Sequence, residues 1–419
     1  MEKNQEKFDV AVIGGGPAGM MAAGRAAELG AKVVLLEKNA TLGKKLLITG
    51  HGRCNLTNAE FDDRKFIEKL GDKKSKFLFS ALAAFGPKEV IEFFESRNLK
   101  TKVEKNNRVF PADNNSCDVL DILKKYLKDN NVKIIFNAEV QGLKKVGGEI
   151  KSVKLKDKEI FADKFILCTG GQSYPATGST GDGYKWAKDL GHNIIEPMPA
   201  LVPIKTKETW VKDVQGLSFE AKINLIQSNK KQYSYSGEML FTHFGLSGPA
   251  ILNISKKAGE LAKNGEVIIS VDLIPDSSLE QMDEKLKKDF SENINKDLVN
   301  CLVKIIPEKM AKNILKLSGI EATKKIHAVT KEERKKIINL LKDLRLIYDG
   351  TTGYNQAMLT SGGVDLKEVD SKTMQSKIIK NLFFAGEILD LDGPTGGYNL
   401  QICWSTGHAA GTYAGNEMK

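Results

Sequence analysis

Glycines 14, 16 and 19 stand in the spacing G-x-G-x-x-G, and an acid, Glu37, follows eighteen positions after the last of them. That combination belongs to dinucleotide chemistry. Gly14 permits a tight turn, Gly16 lets backbone approach a pyrophosphate, Gly19 lets a helix pack closely on a strand, and Glu37 can accept hydrogen bonds from adenosine ribose hydroxyls. An acid there favours a free 2′-hydroxyl, so FAD or NAD is expected and NADP is the poorer occupant.

Two further segments carry residues suited to such a ligand. Positions 41–58 combine Gly50 and Gly52 with the cations Lys44, Lys45 and Arg53, which can meet phosphates or the negative charge that develops on a flavin. Near the other end, Phe384-Ala385-Gly386-Glu387 leads into a glycine-rich turn and an Ala/Gly-rich stretch beginning near Tyr398. A helix starting there can aim its amides at a flavin's pyrimidine edge, and Glu387 can hydrogen-bond the ribityl chain. A flavin carries hydride chemistry itself, so the protein chiefly positions and tunes it. Candidates for protonating or polarising a substrate are His51, Arg53, Tyr174, His243 and Tyr398, each in a glycine-rich segment. Cys54 lies beside Arg53, whose charge can lower a thiol pKa, but no second cysteine is near enough to resolve a disulfide; Cys168 sits in an apolar run and reads as core. With five scattered cysteines and no C-x-x-C, neither a disulfide framework nor a metal site is expected. The stretch 245–248 lacks the G-x-S-x-G pattern of serine hydrolases.

These residues need elements to hold them. Residues 8–37 read as strand, turn, helix, strand, a βαβ unit with a parallel pair, and similar apolar strands ending in glycine recur at 164–171 and 381–387. From 196 to 274, short β segments at 221–226 and 266–273 are broken by Gly, Ser and Pro, which suggests a barrel-like insert. From 275 to 341, Leu298, Leu302, Ile305, Ile337, Ile338 and Leu341 recur at helical spacing in a Lys/Glu-rich background. The expected fold is α/β: a Rossmann-like FAD-binding domain from both chain ends (1–195 and 361–419), an inserted β-barrel-like domain (196–274 and 342–360) and a small helical subdomain (275–341). A chain of 419 residues has room for these units and a large cofactor. The formal charge of +10 is spread over lysine pairs such as 230–231, 287–288 and 335–336, the pattern of solvated helix faces more than of a nucleic-acid surface. No leader-like start and no apolar run of about eighteen residues is evident, so a cytoplasmic protein without a membrane partner is expected.

Five motifs together resemble one group of flavoproteins: T-G-H-G-R-C-N-L-T-N at 49–58, T-G-G-Q-S-Y-P-A-T-G-S-T-G-D-G at 169–183, F-T-H-F-G-L-S-G-P at 241–249, T-S-G-G-V at 360–364, and A-G-E-I-L-D-L-D-G-P-T-G-G-Y-N-L-Q at 385–401. Over its full length the chain resembles the BaiN-type NAD(P)/FAD-dependent oxidoreductases, also known as aminoacetone-oxidase-like FAD-binding proteins, of the glutathione-reductase superfamily. The resemblance implies FAD contacts from Gly14, Gly16, Ala18, Gly19, Glu37, Lys38, Lys45, Arg53, Asn55, Val140, Thr169, Gly170, Gly386, Glu387 and Asn399. Glu387 stands where many flavoproteins carry Asp. No second G-x-G-x-x-G unit is present, so NAD(P)H, as a transient donor, is expected to visit a cleft between domains. The resemblance implies hydride transfer through flavin N5 to a small organic substrate such as a conjugated enone. Left open are oxidation of an amine or aminoketone, modification of tRNA, and a purely structural FAD.

Overall fold

In the computed structural model, which describes residues 6–71 and 73–416, the N-terminal apolar run is strand β1 (Lys7–Ile13), followed by helix α1 (Pro17–Glu28) and strand β2 (Val33–Leu36). Val10, Ala11 and Val12 are all fully buried, as a parallel strand covered on both faces requires. Beyond them come β3 (Lys133–Ile135), β4 (Val140–Val146), β5 (Glu149–Leu155), β6 (Glu159–Leu167) and β7 (Leu382–Phe384). Among the described residues these make a seven-stranded sheet in the order β3-β2-β1-β6-β5-β4, with β7 also on β6. The nine-residue β6 serves two partners along one edge: its first half pairs antiparallel with β5, and Phe165 to Leu167 pair parallel with Leu382 to Phe384. The last strand of the chain thereby joins the sheet begun by the first.

Helix α2 (Tyr398–Asn416) completes that closure. Its Gly407, Gly411 and Gly415 recur every fourth residue, hence on one face, and meet Ala18, Ala22 and Ala26 of α1. A Cβ at 407 would lie 2.5 Å from the Ala18 carbonyl oxygen, and one at 411 would lie 2.4 Å from that of Ala22. The helices therefore touch backbone to backbone. A buried polar network fastens the other side of α2. Gln401 accepts from Thr57 Oγ1 (2.6 Å) and donates to Phe85 O (3.0 Å) and Ser405 Oγ (2.9 Å), while Trp404 Nε1 donates to Leu56 O (3.0 Å).

Contacts divide the chain into two compact units, one from both ends and bounded by Pro199 and Met358, the other Ala200–Ala357. In the second, the strands Ile204–Thr206, Gly245–Ser247, Lys230–Thr242, Ser218–Gln227, Ile268–Asp272 and Leu344–Thr351 close, in that order, into a barrel. The stretch 275–341, expected as a helical subdomain, does form helices, two of them opened by capping boxes at Ser278/Gln281 and Thr330/Glu333. Their apolar faces, including Leu286, Ile314 and Ile338, join Ile223, Val271 and Leu346 of the barrel in one core. Helices this short are stabilised by burying that face, here against one another and against the barrel.

Two measurements follow from the packing of α2. Gly411→Val puts a branched side chain where 2.4 Å is available, so the urea midpoint should fall by the equivalent of about 3 kcal/mol or more with an unchanged slope. His408, stacked on Phe85 (ring centroids 4.5 Å apart) with Nδ1 buried and unpartnered among the described residues, is held by burial at about 4, below its ordinary 6.5. Between these values the unfolded chain binds the proton and the folded chain does not, so stability should fall as pH drops from 6.5 towards 4. His408→Phe should flatten that part of a melting-temperature profile; an unchanged profile would exclude this origin.

Candidate active site

The carboxyl end of the sheet opens into a cavity walled by the glycine turn, the residues after β2 and β6, and the segment leading into α2. Its empty space is about 1390 Å³, the part open to solvent included. Ile13, Leu36 and Leu167 end their strands in register, so Gly14, Glu37 and Cys168 leave the sheet side by side. Gly14 sits at φ +104°, where a Cβ would stand 2.4 Å from the Cys168 carbonyl oxygen. Gly16, by contrast, has open space where its Cβ would be; it caps α1, Pro17 follows, and no side chain satisfies the first amides. An anion is the natural partner of such a helix end.

Glu37 is 7% exposed and aimed by three donors: Gly15 N to Oε2 (2.8 Å), and Asn39 N (2.8 Å) and Asn39 Nδ2 (2.7 Å) to Oε1. The carboxylate is thus held at the cavity wall beside the turn, the place from which an acid reaches a ribose. Across the site, Glu387 Oε2 accepts from Lys45 Nζ (2.7 Å), and Oε1 accepts from Ser173 Oγ (3.0 Å) and Thr360 N (2.8 Å). Lys45 also donates to Ser173 Oγ. Opposite charges in a half-buried setting thereby offset each other's desolvation. Thr169 also lines the cavity, but its Oγ1 is buried against Gly183, without a partner among the described residues. The uncapped amides at the start of α1 and the Glu37 carboxylate beside them fit the pyrophosphate and ribose of a dinucleotide such as FAD.

Of the residues singled out from sequence, Gly14, Gly16, Ala18, Glu37, Lys38, Lys45, Val140, Thr169, Gly170, Glu387 and Asn399 line the cavity. Gly19 and Gly386 lie behind its wall: a Cβ at 19 would meet Gly14 O at 1.8 Å, and one at 386 would meet Ala18 Cβ at 2.7 Å. Arg53 is turned elsewhere. Its guanidinium stacks on Phe110 (4.0 Å) and pairs with Glu104 (2.9 and 3.3 Å). Asn55, with its amide oriented to satisfy both ends, donates to the carbonyls of Thr57 and Val109 and accepts from Gly397 N, so it buttresses the turn before α2. Tyr398 is buried against Phe66 (4.9 Å), His51 is exposed in a left-handed turn at φ 58°, Tyr174 lies outside the lining, and His243 belongs to the barrel unit. Burial pushes the Cys54 thiol up to about 12, so the expected lowering by Arg53 does not occur. Burial likewise raises Cys168, and raises Cys403 to about 12; both line the cavity as neutral thiols. Asn39, Ser179, Thr180, Asp182, Met358 and Leu359 also line it. Asp182 was within reach of the sequence, inside the S-T-G-D-G stretch; Asn39 followed Glu37 by two.

Comparison with known proteins agrees with this geometry. The family model of the HI0933-like protein Rossmann domain matches residues 8–413. The chain belongs to the HI0933-like family. Among curated relatives, this HI0933-like chain is 32% identical to a 3-dehydro-bile acid delta(4,6)-reductase of Clostridium scindens, over 97% of this chain and 98% of that one. It is 30% identical to a ribosomal RNA dihydrouridine synthase of Escherichia coli, over 96% and 97%. Among solved structures, the 3-ketosteroid delta1-dehydrogenase of Sterolibacterium denitrificans shares its fold, with a TM-score of 0.52, 12% identity and coverage of 98% and 99%. Family and cavity together make the chain an FAD-dependent oxidoreductase. Among the described residues no helix is long and apolar enough to cross a membrane.

Removing the Glu37 carboxylate from the cavity wall should weaken FAD binding. Glu37→Ala is expected to raise the FAD dissociation constant roughly tenfold to a hundredfold, the range of a hydrogen-bonded charge. Titration of the apoprotein with FAD measures it; undiminished affinity contradicts the role assigned to Glu37.

Proposed function

We propose that the protein reduces a carbon–carbon double bond conjugated to a carbonyl in a small organic substrate, with NAD(P)H as the donor. The observation that carries this reading is the pair of near full-length relatives. One is named for reducing the delta(4,6) bonds of a 3-dehydro bile acid, the other for making dihydrouridine, and both names describe a double bond conjugated to a carbonyl becoming saturated. FAD, when bound, supplies the hydride transfer. The chain's own residues hold and enclose it. The open end of α1 and Glu37 fix the dinucleotide half, while Lys45, held by Glu387, keeps a cation near the cavity where reduction adds negative charge. Met358, Leu359, Leu391 and Leu400 give the cavity an apolar wall that excludes water from a transferring hydride. The neutral thiols of Cys168 and Cys403 offer no thiolate to compete as a nucleophile.

A second reading has its own support: the conjugated bond belongs to a uridine in RNA. The ribosomal RNA dihydrouridine synthase among the relatives favours it. Anaerobic spectroscopy of the holoprotein separates the cases. The main reading expects NADH or NADPH to bleach the flavin and an enone to restore its colour. Bleaching by an amine indicates an oxidase instead, and a flavin that no donor bleaches contradicts both reductive readings. Restoration by uridine-containing RNA and not by enones selects the RNA reading.

A further inference from the structure

The carboxyl ends of β2, β1 and β6 lie side by side in that order. Chain leaving β6 is nevertheless bonded to chain leaving β2, so it must cross the end of β1, where the glycine turn begins. Two fastenings hold the crossing. Asn39 Nδ2 donates to Thr177 O (3.1 Å), and Lys38 Nζ donates to Thr180 Oγ1 (2.5 Å) and Asp182 Oδ2 (2.8 Å), with Thr180 Oγ1 donating to the same Asp182 oxygen (2.8 Å). Gly178 makes the approach possible: at φ +106°, a Cβ there would stand 2.6 Å from Asn39 Nδ2 and 3.3 Å from Lys38 Cε. Thr177 to Thr180 and Asp182 line the same cavity as Gly16 and Glu37.

We propose that residues 174–182 are a strap over the adenosine end of bound FAD, fastened by the Lys38–Asp182 ion pair and opening when that pair parts. The proposal rests on FAD as the occupant of the cavity. Glu37 marks the ribose position, and the strap is tied to the two residues that follow it, so a bound adenosine lies beneath the tie. Lys38 serves the strap here: its ammonium is already neutralised by Asp182 and is not a free phosphate ligand. The pair is partly exposed, with side chains 30% and 45% accessible, so it can open without disturbing the core.

FAD release from the holoprotein, followed by the rise in flavin fluorescence after rapid dilution, tests this with signs that differ between explanations. Under the strap, Asp182→Asn speeds release, roughly two- to fivefold for a partly exposed pair. If Lys38 binds the pyrophosphate directly, the same substitution frees its charge and slows release. Slowed or unchanged release overturns the strap. Lys38→Glu should release FAD faster still, and the exchange Lys38→Glu with Asp182→Lys should return the rate to within about twofold of the starting protein; an exchanged pair as fast as Lys38→Glu alone also overturns it. Gly178→Ala, which wedges the tie apart, should speed release as Asp182→Asn does. A starting protein that takes up no FAD would instead overturn the flavin reading on which the strap depends.

Discussion

The contact on which the remainder of the structure depends is the backbone-to-backbone packing of α1 against α2. Gly407, Gly411 and Gly415 leave no side chain between the last helix and the first, and Ala18, Ala22 and Ala26 offer only methyl groups in return. Helices separated by bulkier residues would sit farther apart. Here the close approach brings Gly386 against Ala18, placing Ala385 and Glu387 in the wall that begins with Gly14 and Gly16. The dinucleotide turn and the second half of the cavity, nearly the whole chain apart in sequence, become one site because two helices have almost nothing on their facing sides.

Charge within that site is handled locally. Glu37 is met by backbone and amide donors, Glu387 by Lys45, Ser173 and Thr360, and Lys38 by Asp182 and Thr180. The first amides of α1, which no side chain caps, are left without a side-chain partner beside the cavity. A site so arranged favours a large anionic ligand with hydroxyl groups, and it leaves the bond-making chemistry to that ligand. This is consistent with the neutral thiols in the cavity and with His51, Tyr174 and Tyr398 lying outside it.

Much of this was legible in the sequence where a local rule applied. The glycine spacing, the strand before it, the helix after it and the acid at 37 describe backbone conformations that neighbouring residues decide among themselves, and the short β segments and helical periodicity of the middle region point to strands and helices for the same reason. Pairings across the chain were not legible. Lys45 and Glu387 are 342 positions apart, and Lys38 and Asp182 are 144 apart; spacing says nothing about such partners. The direction of a side chain within a recognised motif was also hidden. Arg53 and Asn55 belong to a distinctive segment, yet one turns to Glu104 and Phe110, on a small sheet whose pairing appears only in three dimensions, and the other to the amide of Gly397, in the turn before α2. The helices of 275–341 share one core with the barrel, and no periodicity reveals that the two join.

The central claim is that both chain ends build one FAD site, and an experimental structure of the purified yellow holoprotein tests it most directly. The account predicts one FAD per chain, its pyrophosphate on the amides at the start of α1, its adenosine ribose on Glu37, and its remaining length running past Thr169 towards Glu387. A flavin seated elsewhere, or one touching only the N-terminal half of the cavity, would contradict it.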